Sequence, residues 1–418
     1  MNKKLIAGVG FGLAASMALS ACSTKAGDGG GGEGADGLKT DYGVTDDTIT
    51  LGALTDSSGP FKVGGVLVTH GNQIWVDEVN EAGGICGRQI ELNVIDTGYK
   101  ADTAVSMYDA NKEESVGLIQ IIGSAVFAAL KQKMISDQIM GSSPTIASVN
   151  LDSEIMLSVG TTFDVEAING MAYMQSEGKI ADGDKVGAIY LDNEAGQNSF
   201  AGVEAYAEQH DIEVAGAPIA PTDTDMTTTV TKFKSQGVDL VYVAVPPAAL
   251  TSTALAMQSQ GLDVPLLGFN SSFQPSVIAD PSVLPALDEF YLQTPNVVWS
   301  SDAAAPLREA YEASGSEDAP SQSIITGYLS GVAWGAVLEQ ACEDGDMTRQ
   351  GLMDARKKIT ALDTKGLTGE LDFSDPGAPV TRVTAIAQVD TDAPGSLVEV
   401  LAPTASSEAE DYKTPYQK

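Results

Sequence analysis

The chain has 418 residues, of which 23 are basic and 57 acidic, so its formal net charge at neutral pH is −34. Such a charge repels nucleic-acid backbones and anionic lipid headgroups, which argues against both as binding partners. Hydrophobic residues make up 43% of the chain, a fraction typical of folded proteins. Beyond an N-terminal segment, roughly 380 residues remain, which fits two lobes better than one core.

The first 21 residues have the pattern of an export signal. Two lysines near the start precede an apolar run from residue 5 to residue 19, and two small residues follow it. The apolar run is shorter than the roughly 20 residues that a membrane-spanning helix needs. Residues 1–21 are therefore predicted to be removed on export. An ordinary secretory signal, followed by a cysteine only by chance, is the alternative.

The sequence Leu19-Ser20-Ala21-Cys22 resembles the bacterial lipoprotein box, whose cysteine carries lipid. Residues 22–42, which are rich in glycine, are then predicted to form a flexible tether behind that lipid. We therefore expect the protein on the extracytoplasmic face of the cell membrane, held by a lipid anchor and not by a membrane span.

From residue 48 onward, short β-branched runs alternate with longer helical patterns. Strands are predicted at 48–54, 90–96, 116–123, 185–191, 212–217, 238–245 and 264–269, with another apolar run at 154–160. Helices are predicted at 66–81, 101–112, 125–138, 164–178, 197–209, 226–236 and 248–260. Three more helices, 303–314, 322–341 and 348–359, precede a strand at 382–390 and a polar tail, 402–418, that is expected to fray. Such alternation predicts an α/β protein with right-handed βαβ units and parallel sheets.

The loops after the predicted strands are rich in small residues. They are 55–60, 123–127, 143–148, 192–197, 246–249 and 269–272. In parallel sheets the ligand lies beyond the carboxyl ends of the strands, where helix N-termini can approach an oxygen-rich group. These loops therefore predict a binding cleft.

Cys86 and Cys342 remain once Cys22 is assigned to lipid. An even pair in an exported protein favours a disulfide, with two buried thiols as the alternative. The sequence has only two histidines and no metal-binding spacing of Cys or His, so no metal and no cofactor are expected. A Gly-x-Ser-x-Gly elbow is also missing, which disfavours an exported hydrolase.

Two stretches, "GVTDDTITLGALTDSSGP" (43–60) and "WVDEVNEAGGICGRQIEL" (75–92), resemble the start of one protein family. It is the branched-chain amino acid type of periplasmic binding protein, the solute receptor of an ABC importer. The segments "IIGSAV", "KVGAIYLDNEAG", "GVDLVYVA" and "VPLLGFN" follow in the family's order. The resemblance therefore covers nearly the whole mature chain.

The resemblance implies the type I fold, two Rossmann-like lobes that are joined by three crossovers and close on a ligand. Lobe one would hold 43–160 and 296–368, and lobe two 161–295 and 369–401. Both remaining cysteines would then lie in lobe one, where a disulfide leaves the hinge free. A monomer is expected.

Family ligand contacts carry over to a set of positions in this chain. They are Asp56, Ser57, Ser58, Val126, Phe127, Thr145, Ala147, Ser148, Ala195, Pro247 and Asn270. Phe127 replaces the usual serine of one carboxylate loop, and Phe127 and Phe163 either wall the cleft or pack at the hinge. Asn270 replaces the acidic residue that binds the ligand's ammonium, and a neutral amide offers no charge pairing. Asp56 is the candidate for that charge, with a loop-shaping turn as its alternative.

The function implied by the resemblance is a solute-binding lipoprotein that delivers a small ligand to ABC permease and ATPase subunits. A branched-chain or related amino acid is the first expected ligand. An amide, urea or a small organic acid is the alternative, as is a sensory receptor of the same fold. An exported hydrolase is a distant third.

Overall fold

The computed structural model describes residues 32–34, 37–143, 146–375 and 377–417. The export signal, Cys22 and Thr145 lie outside these residues, so what the sequence predicts for them stays a prediction. Within the described residues no helix is long and apolar enough to cross a membrane.

The N-terminal part of the chain builds the first lobe. Its strands are β1 (Gly32–Glu33), β2 (Lys39–Thr40), β3 (Thr48–Thr55), β4 (Gln89–Asp96), β5 (Gly117–Ile121), β6 (Gly141–Ser143) and β7 (Met156–Ser158). Its helices are α1 (Lys62–Glu81), α2 (Ala101–Asn111) and α3 (Ser124–Asp137). Strands β3 to β7 form a parallel sheet in the order β4-β3-β5-β6-β7, as the alternation of patterns predicts.

The middle of the chain builds the second lobe. Its elements are α4 (Phe163–Ser176), β8 (Lys185–Leu191), α5 (Glu194–Gln209), β9 (Glu213–Ile219), α6 (Thr227–Gln236), β10 (Leu240–Ala244), α7 (Pro247–Gln260), β11 (Leu266–Gly268) and β12 (Phe290–Thr294). The five strands pair in parallel in the order β12-β11-β10-β8-β9.

The last part of the chain returns to both lobes. Its elements are α8 (Ala305–Ala313), α9 (Gln322–Asp344), β13 (Asp346–Met347), α10 (Arg349–Arg356), β14 (Thr384–Val389), β15 (Leu397–Thr404) and α11 (Ser407–Asp411). The helices α8 to α10 cover lobe one, whereas β14 and β15 extend the sheet of lobe two as antiparallel strands.

The chain passes between the lobes three times, after β7, after β12 and before β14. Each lobe has its own buried core. This arrangement confirms the predicted α/β architecture of two Rossmann-like lobes joined by three crossovers.

Helices α1 and α9 pack with their backbones in close approach. A side chain at Gly327 would overlap the carbonyl oxygen of Val68, and one at Gly71 would overlap that of Ile324. The Asn72 amide donates a hydrogen bond of 2.8 Å to the Gly327 carbonyl across this contact. Glycine is therefore required at both crossing points, and the contact joins the first and last segments of lobe one.

The expected boundary between the lobes differs from the structure in its last segment. Leu371, Phe373 and Val380 pack in the core of lobe one, although the expected boundary assigns them to lobe two. They do so because the chain reaches the second sheet only at β14.

Both ends of the described chain are also more ordered than expected. The buried Leu38 belongs to the lobe-one core and β2 pairs with β13, so the part of the expected tether from residue 37 onward is docked. The polar tail forms α11 on lobe two, where the Tyr412 hydroxyl donates to Asp164 at 3.1 Å. Strands β12 and β15 were not predicted either, and β15 is an edge strand with every second residue outside.

In the structure Cys86 and Cys342 form a disulfide with their Cα atoms 6.0 Å apart. Cys86 follows α1 and Cys342 lies in the last turn of α9, so the bond ties the far ends of the two packed helices. Both belong to lobe one, and the bond does not span the cleft.

Replacing both cysteines by alanine should lower the free energy of unfolding by about 2–5 kcal/mol, because the unfolded chain loses a constraint across a long loop. Urea unfolding of the mature domain measures this. Reductant should shift the wild type toward the double variant and leave the double variant unchanged. A wild type that does not respond to reductant would contradict a stabilising bond.

Candidate functional site

A cavity of about 370 Å³ lies between the two lobes. Its volume falls within the range of about 300–1,000 Å³ that is usual for small-molecule sites. Lobe one contributes the loop before α1 and the start of α3, and lobe two contributes the starts of α5 and α7 and the loop after β11. The second crossover, residues 294–296, forms the inner wall.

In the part of the chain that the structure describes, six helices begin at this cavity. Residues of the first turn of each line it: Lys62 of α1, Ser124 of α3, Phe163 of α4, Ala195 of α5, Pro247 of α7 and Gln322 of α9. The first backbone N–H groups of a helix have no partner within the helix and carry a partial positive charge. Helix N-termini thus surround the cavity and their dipoles favour a negatively charged group in the ligand, although the first N–H groups of α4 already donate to Ile146, Asn198 and Asp164.

The side chains that line the cavity carry little charge. Lys62 is the single charged residue among the described lining residues, and none of those residues is an aspartate or a glutamate. Much of the remaining surface is apolar and includes Val68, Ile122, Phe163 and Phe269. Within the described wall, a ligand ammonium group would find no carboxylate, whereas an aliphatic chain would find matching surface.

The mouth of the cavity is bridged by contacts between the lobes. The Phe61 ring packs at a tilt of 48° against the Tyr99 ring, with centroids 4.9 Å apart, and also packs against the core of lobe two. The Asn193 amide donates to the Tyr99 hydroxyl at 3.4 Å across the cleft. Burial raises the pKa of Tyr99 to about 12, so its hydroxyl stays neutral at physiological pH. The two lobes therefore meet in front of the cavity as well as at the crossovers.

Gly123 is required beside this bridge. It has a φ of 106°, and a side chain there would overlap the Tyr99 ring. The tight turn at Gly123 brings the start of α3 to the cavity wall.

The profile of the Periplasmic binding protein family matches residues 48–394. The chain belongs to this family. A solved member of similar fold is a fatty acid ABC transporter substrate-binding protein from Thermomonospora curvata, 34% identical, with a TM-score of 0.89 over 92% of this chain and 99% of that one. Another is a branched-chain amino acid ABC transporter protein from Thermus thermophilus with bound valine, with a TM-score of 0.77 over 88% and 99% of the two chains. Its 15% identity supports the fold alone.

Among curated proteins, the Leu/Ile/Val-binding protein BraC3 of Rhizobium johnstonii is 29% identical over 202 residues. That match covers 46% of this chain and 53% of the relative, so the chain spans about half the length of the curated relatives it matches. The family and the 34% identical relative, which is named a substrate-binding protein, confirm the prediction of a binding protein and not an enzyme.

Three of the family's predicted contact positions lie on the cavity. Ala195, Pro247 and Asn270 all line it, and so does Phe163, which the sequence left between cleft and hinge. The Asn270 backbone N–H and side-chain amide both donate to the buried carboxylate of Glu166, at 3.0 and 2.7 Å. Asn270 therefore lines the cavity, and the carboxylate of Glu166 lies behind it.

Asp56 lies beneath the first loop instead of facing the cavity. Its carboxylate accepts the backbone N–H groups of Ser58, Gly59 and Phe61, at 3.3, 2.5 and 2.9 Å. The structure therefore favours the loop-shaping alternative for Asp56. Ser57 and Ser58 are exposed and do not line the cavity, whereas the next residues, 59–61, do.

Val126 and Phe127 also lie elsewhere than the resemblance implies. Both are buried in the core of lobe one, because they face the sheet on the first turns of α3. Gly123 and Ser124 reach the cavity in their place, so this loop does retain a serine. A glycine followed by a serine at the end of a strand is a signal for a helix start that could have identified them.

Ala147 and Ser148 lie at the junction of the lobes, fully buried and away from the cavity lining. The Ser148 hydroxyl donates to Asp164 at 2.5 Å, and its N–H donates to Asn198 at 3.1 Å. These bonds hold lobe one to α4 and α5 of lobe two. Thr145, the other position of this loop, lies outside the described residues.

Replacing Phe61 by alanine should favour an open arrangement of the lobes. The lost contact of a half-buried ring corresponds to about 1 kcal/mol, or roughly fivefold in the ratio of open to closed protein. Small-angle X-ray scattering of the unliganded protein should show a larger radius of gyration than the wild type. Val94→Ala, at an exposed position on β4, is the control, and identical scattering by all three proteins would contradict the bridge.

Proposed function

We propose that this protein is the extracytoplasmic solute-binding component of an ABC importer and captures its ligand between two closing lobes. The observation that carries this proposal is the cavity between the lobes, with six helix N-termini around it. Membership of the Periplasmic binding protein family supports it, as does a relative that is named an ABC transporter substrate-binding protein and is similar over nearly its whole length. The partners are then a membrane permease and its ATPase, and the receptor acts as a monomer.

The ligand that we propose is an aliphatic monocarboxylate, which is the small organic acid of the alternatives above. Its carboxylate would face helix N-termini and Lys62, and its chain would lie against the apolar wall. The name of the relative from Thermomonospora curvata, a fatty acid binding protein, agrees with this choice.

A branched-chain amino acid is the second candidate. It is favoured by the names of two curated relatives, both of them Leu/Ile/Val-binding proteins. It is disfavoured by the cavity wall, because a desolvated ammonium group needs a charged or well-placed acceptor. The two candidate ligands, an aliphatic monocarboxylate and a branched-chain amino acid, therefore differ in the ammonium group.

Leucine and 4-methylpentanoate test this difference because they share a carbon skeleton and differ only in the ammonium group. We expect 4-methylpentanoate and octanoate to raise the melting temperature of the mature protein, because a ligand that binds only the folded state stabilises it. Leucine should raise it less, and leucinamide, which has no carboxylate, should not raise it. Stabilisation by leucine alone would reject the monocarboxylate, and turnover of any compound would reject a receptor.

Lys62→Gln should weaken the binding of octanoate by at most about fivefold, because an exposed ion pair contributes about 0.2–1 kcal/mol. The loss should shrink at high salt. Lys100→Gln, another exposed lysine near the first loop but outside the cavity lining, is the matched control. Titration calorimetry measures both, and equal losses in the two variants would mean that Lys62 acts only through the overall field.

We further propose that Cys22 carries the lipid that holds the receptor at the membrane. Cys22→Ser should release the protein from the membrane fraction into the medium or periplasm, because a hydrophobic anchor is lost. Ser23→Ala is the control and should stay with the membrane. A Cys22 variant that still sediments with membranes would contradict lipid anchoring at this residue.

A further inference from the structure

The buried carboxylate behind the cavity wall has no basic partner. Glu166 is fully buried in the first turns of α4. It accepts two hydrogen bonds from Asn270, which lines the cavity, and it also interacts with Gln293 of β12. No lysine, arginine or histidine is among these described partners. An ionised carboxylate in such a place is costly, because burial removes it from water and no opposite charge compensates.

The neighbours of Glu166 also leave one hydrogen-bond acceptor without a donor. The Gln293 side-chain amide donates from Nε2 to the Tyr242 hydroxyl at 2.9 Å. Its Oε1 atom is buried and has no partner among the described residues. This oxygen lies against α4 one turn after Glu166, since a side chain at Gly170 would overlap it. A protonated Glu166, whose side chain interacts with Gln293, has a hydroxyl that can donate to this oxygen.

The titratable groups described around Glu166 supply no positive charge, and only the hydrogen bonds from Asn270 and Gln293 favour its ionised form. Tyr242 of β10 faces it and shares its hydroxyl with Ser199 of α5 and with Gln293. Asp164, two residues earlier on α4, is bonded to Ser148, Thr162 and Tyr412. Burial raises the pKa of Glu166 from 4.5 to about 7 and outweighs the hydrogen bonds from Asn270 and Gln293, which lower it.

We propose that Glu166 is held as the neutral acid when ligand binds, and that it is a positioning residue, orienting the Asn270 amide on the cavity wall. The proposal deepens the proposed function, on which its effect on ligand binding rests. A neutral Glu166 gives a wall without negative charge, which suits a ligand carboxylate. Ionisation of Glu166 would place a like charge behind the wall and weaken that binding.

In the competing arrangement the Gln293 side-chain amide is flipped, so that its oxygen and its nitrogen exchange places. Its NH₂ group would then donate to an ionised Glu166, and its oxygen would accept from Tyr242. The hydrogen bonds are satisfied in both arrangements, but only the neutral form avoids a buried charge without a cation. The two forms differ by one proton, which spectroscopy detects directly.

Infrared difference spectra of the ligand-free protein provide the first test. We expect a protonated-carboxyl C=O band at about pH 6 that fades as the pH rises past about 7 and is missing in Glu166→Gln. Glu177→Gln, an exposed glutamate at the end of the same helix, should retain the band. A spectrum in which Glu166→Gln and wild type agree at about pH 6 overturns the neutral acid.

Calorimetric titration with octanoate is the second test. In the wild type the affinity should fall by roughly threefold or more from about pH 6 to about pH 8, because octanoate stays ionised while Glu166 loses its proton. In Glu166→Gln the affinity should not change over that range, and Glu177→Gln should follow the wild type. Equal pH profiles in the wild type and Glu166→Gln overturn the link to ligand binding.

The two tests separate this proposal from the proposed function. If no carboxylate binds, the ligand class fails while the infrared band still decides the state of Glu166. If leucine binds instead, its affinity in the wild type should rise with pH, since an ionised Glu166 attracts an ammonium group. The Gln variant should again show no slope, and a slope that persists in it overturns the positioning role.

Discussion

The contact between α1 and α9 is the constraint on which the first lobe depends. The glycines at its crossing points let two backbones meet, so that the first and last segments of the lobe form one core. The starts of both helices line the cavity, and their far ends are joined by the disulfide. Because the helices are fixed along their length, the loop before α1 and the first turn of α9 present a rigid half of the site. A small shift in this packing would move both walls together.

The chemistry of the cavity follows from the parallel sheets. In a βαβ unit each helix begins beyond the carboxyl end of a strand, and two such sheets that face one another direct many helix starts at the same space. The positive ends of these helices therefore accumulate without any cluster of lysines. The lining can then stay largely apolar, with one exposed lysine, and still suit the anionic group of the proposed ligand.

The sequence predicted most of the fold because period and loop composition repeat through both lobes. It missed β15 and α11, since an edge strand and a five-residue helix are held by tertiary contacts such as Tyr412 to Asp164. The site was predicted at the level of loops and less well at single residues. Ser124 lies at the cavity because it begins α3. Phe127 lies one turn further along the helix, in the core of lobe one. Glu166 has no local signal, since its role arises only where α4 meets Asn270 and Gln293 of distant segments.

The overall charge of the chain and the lining of the cavity act in opposite directions on an anion. A protein of formal charge −34 repels an anion at long range, yet no acidic residue occurs among the described cavity-lining residues. At physiological salt the surface charges are screened beyond roughly 8 Å, so they act mainly on the approach of the ligand. In a cavity that excludes water the dielectric is low, so the nearest dipoles act most strongly on a bound ligand. Glu166, a buried carboxylate close to the wall without a basic partner among its described contacts, is then a group whose protonation matters, because the cavity has few other charges to offset it.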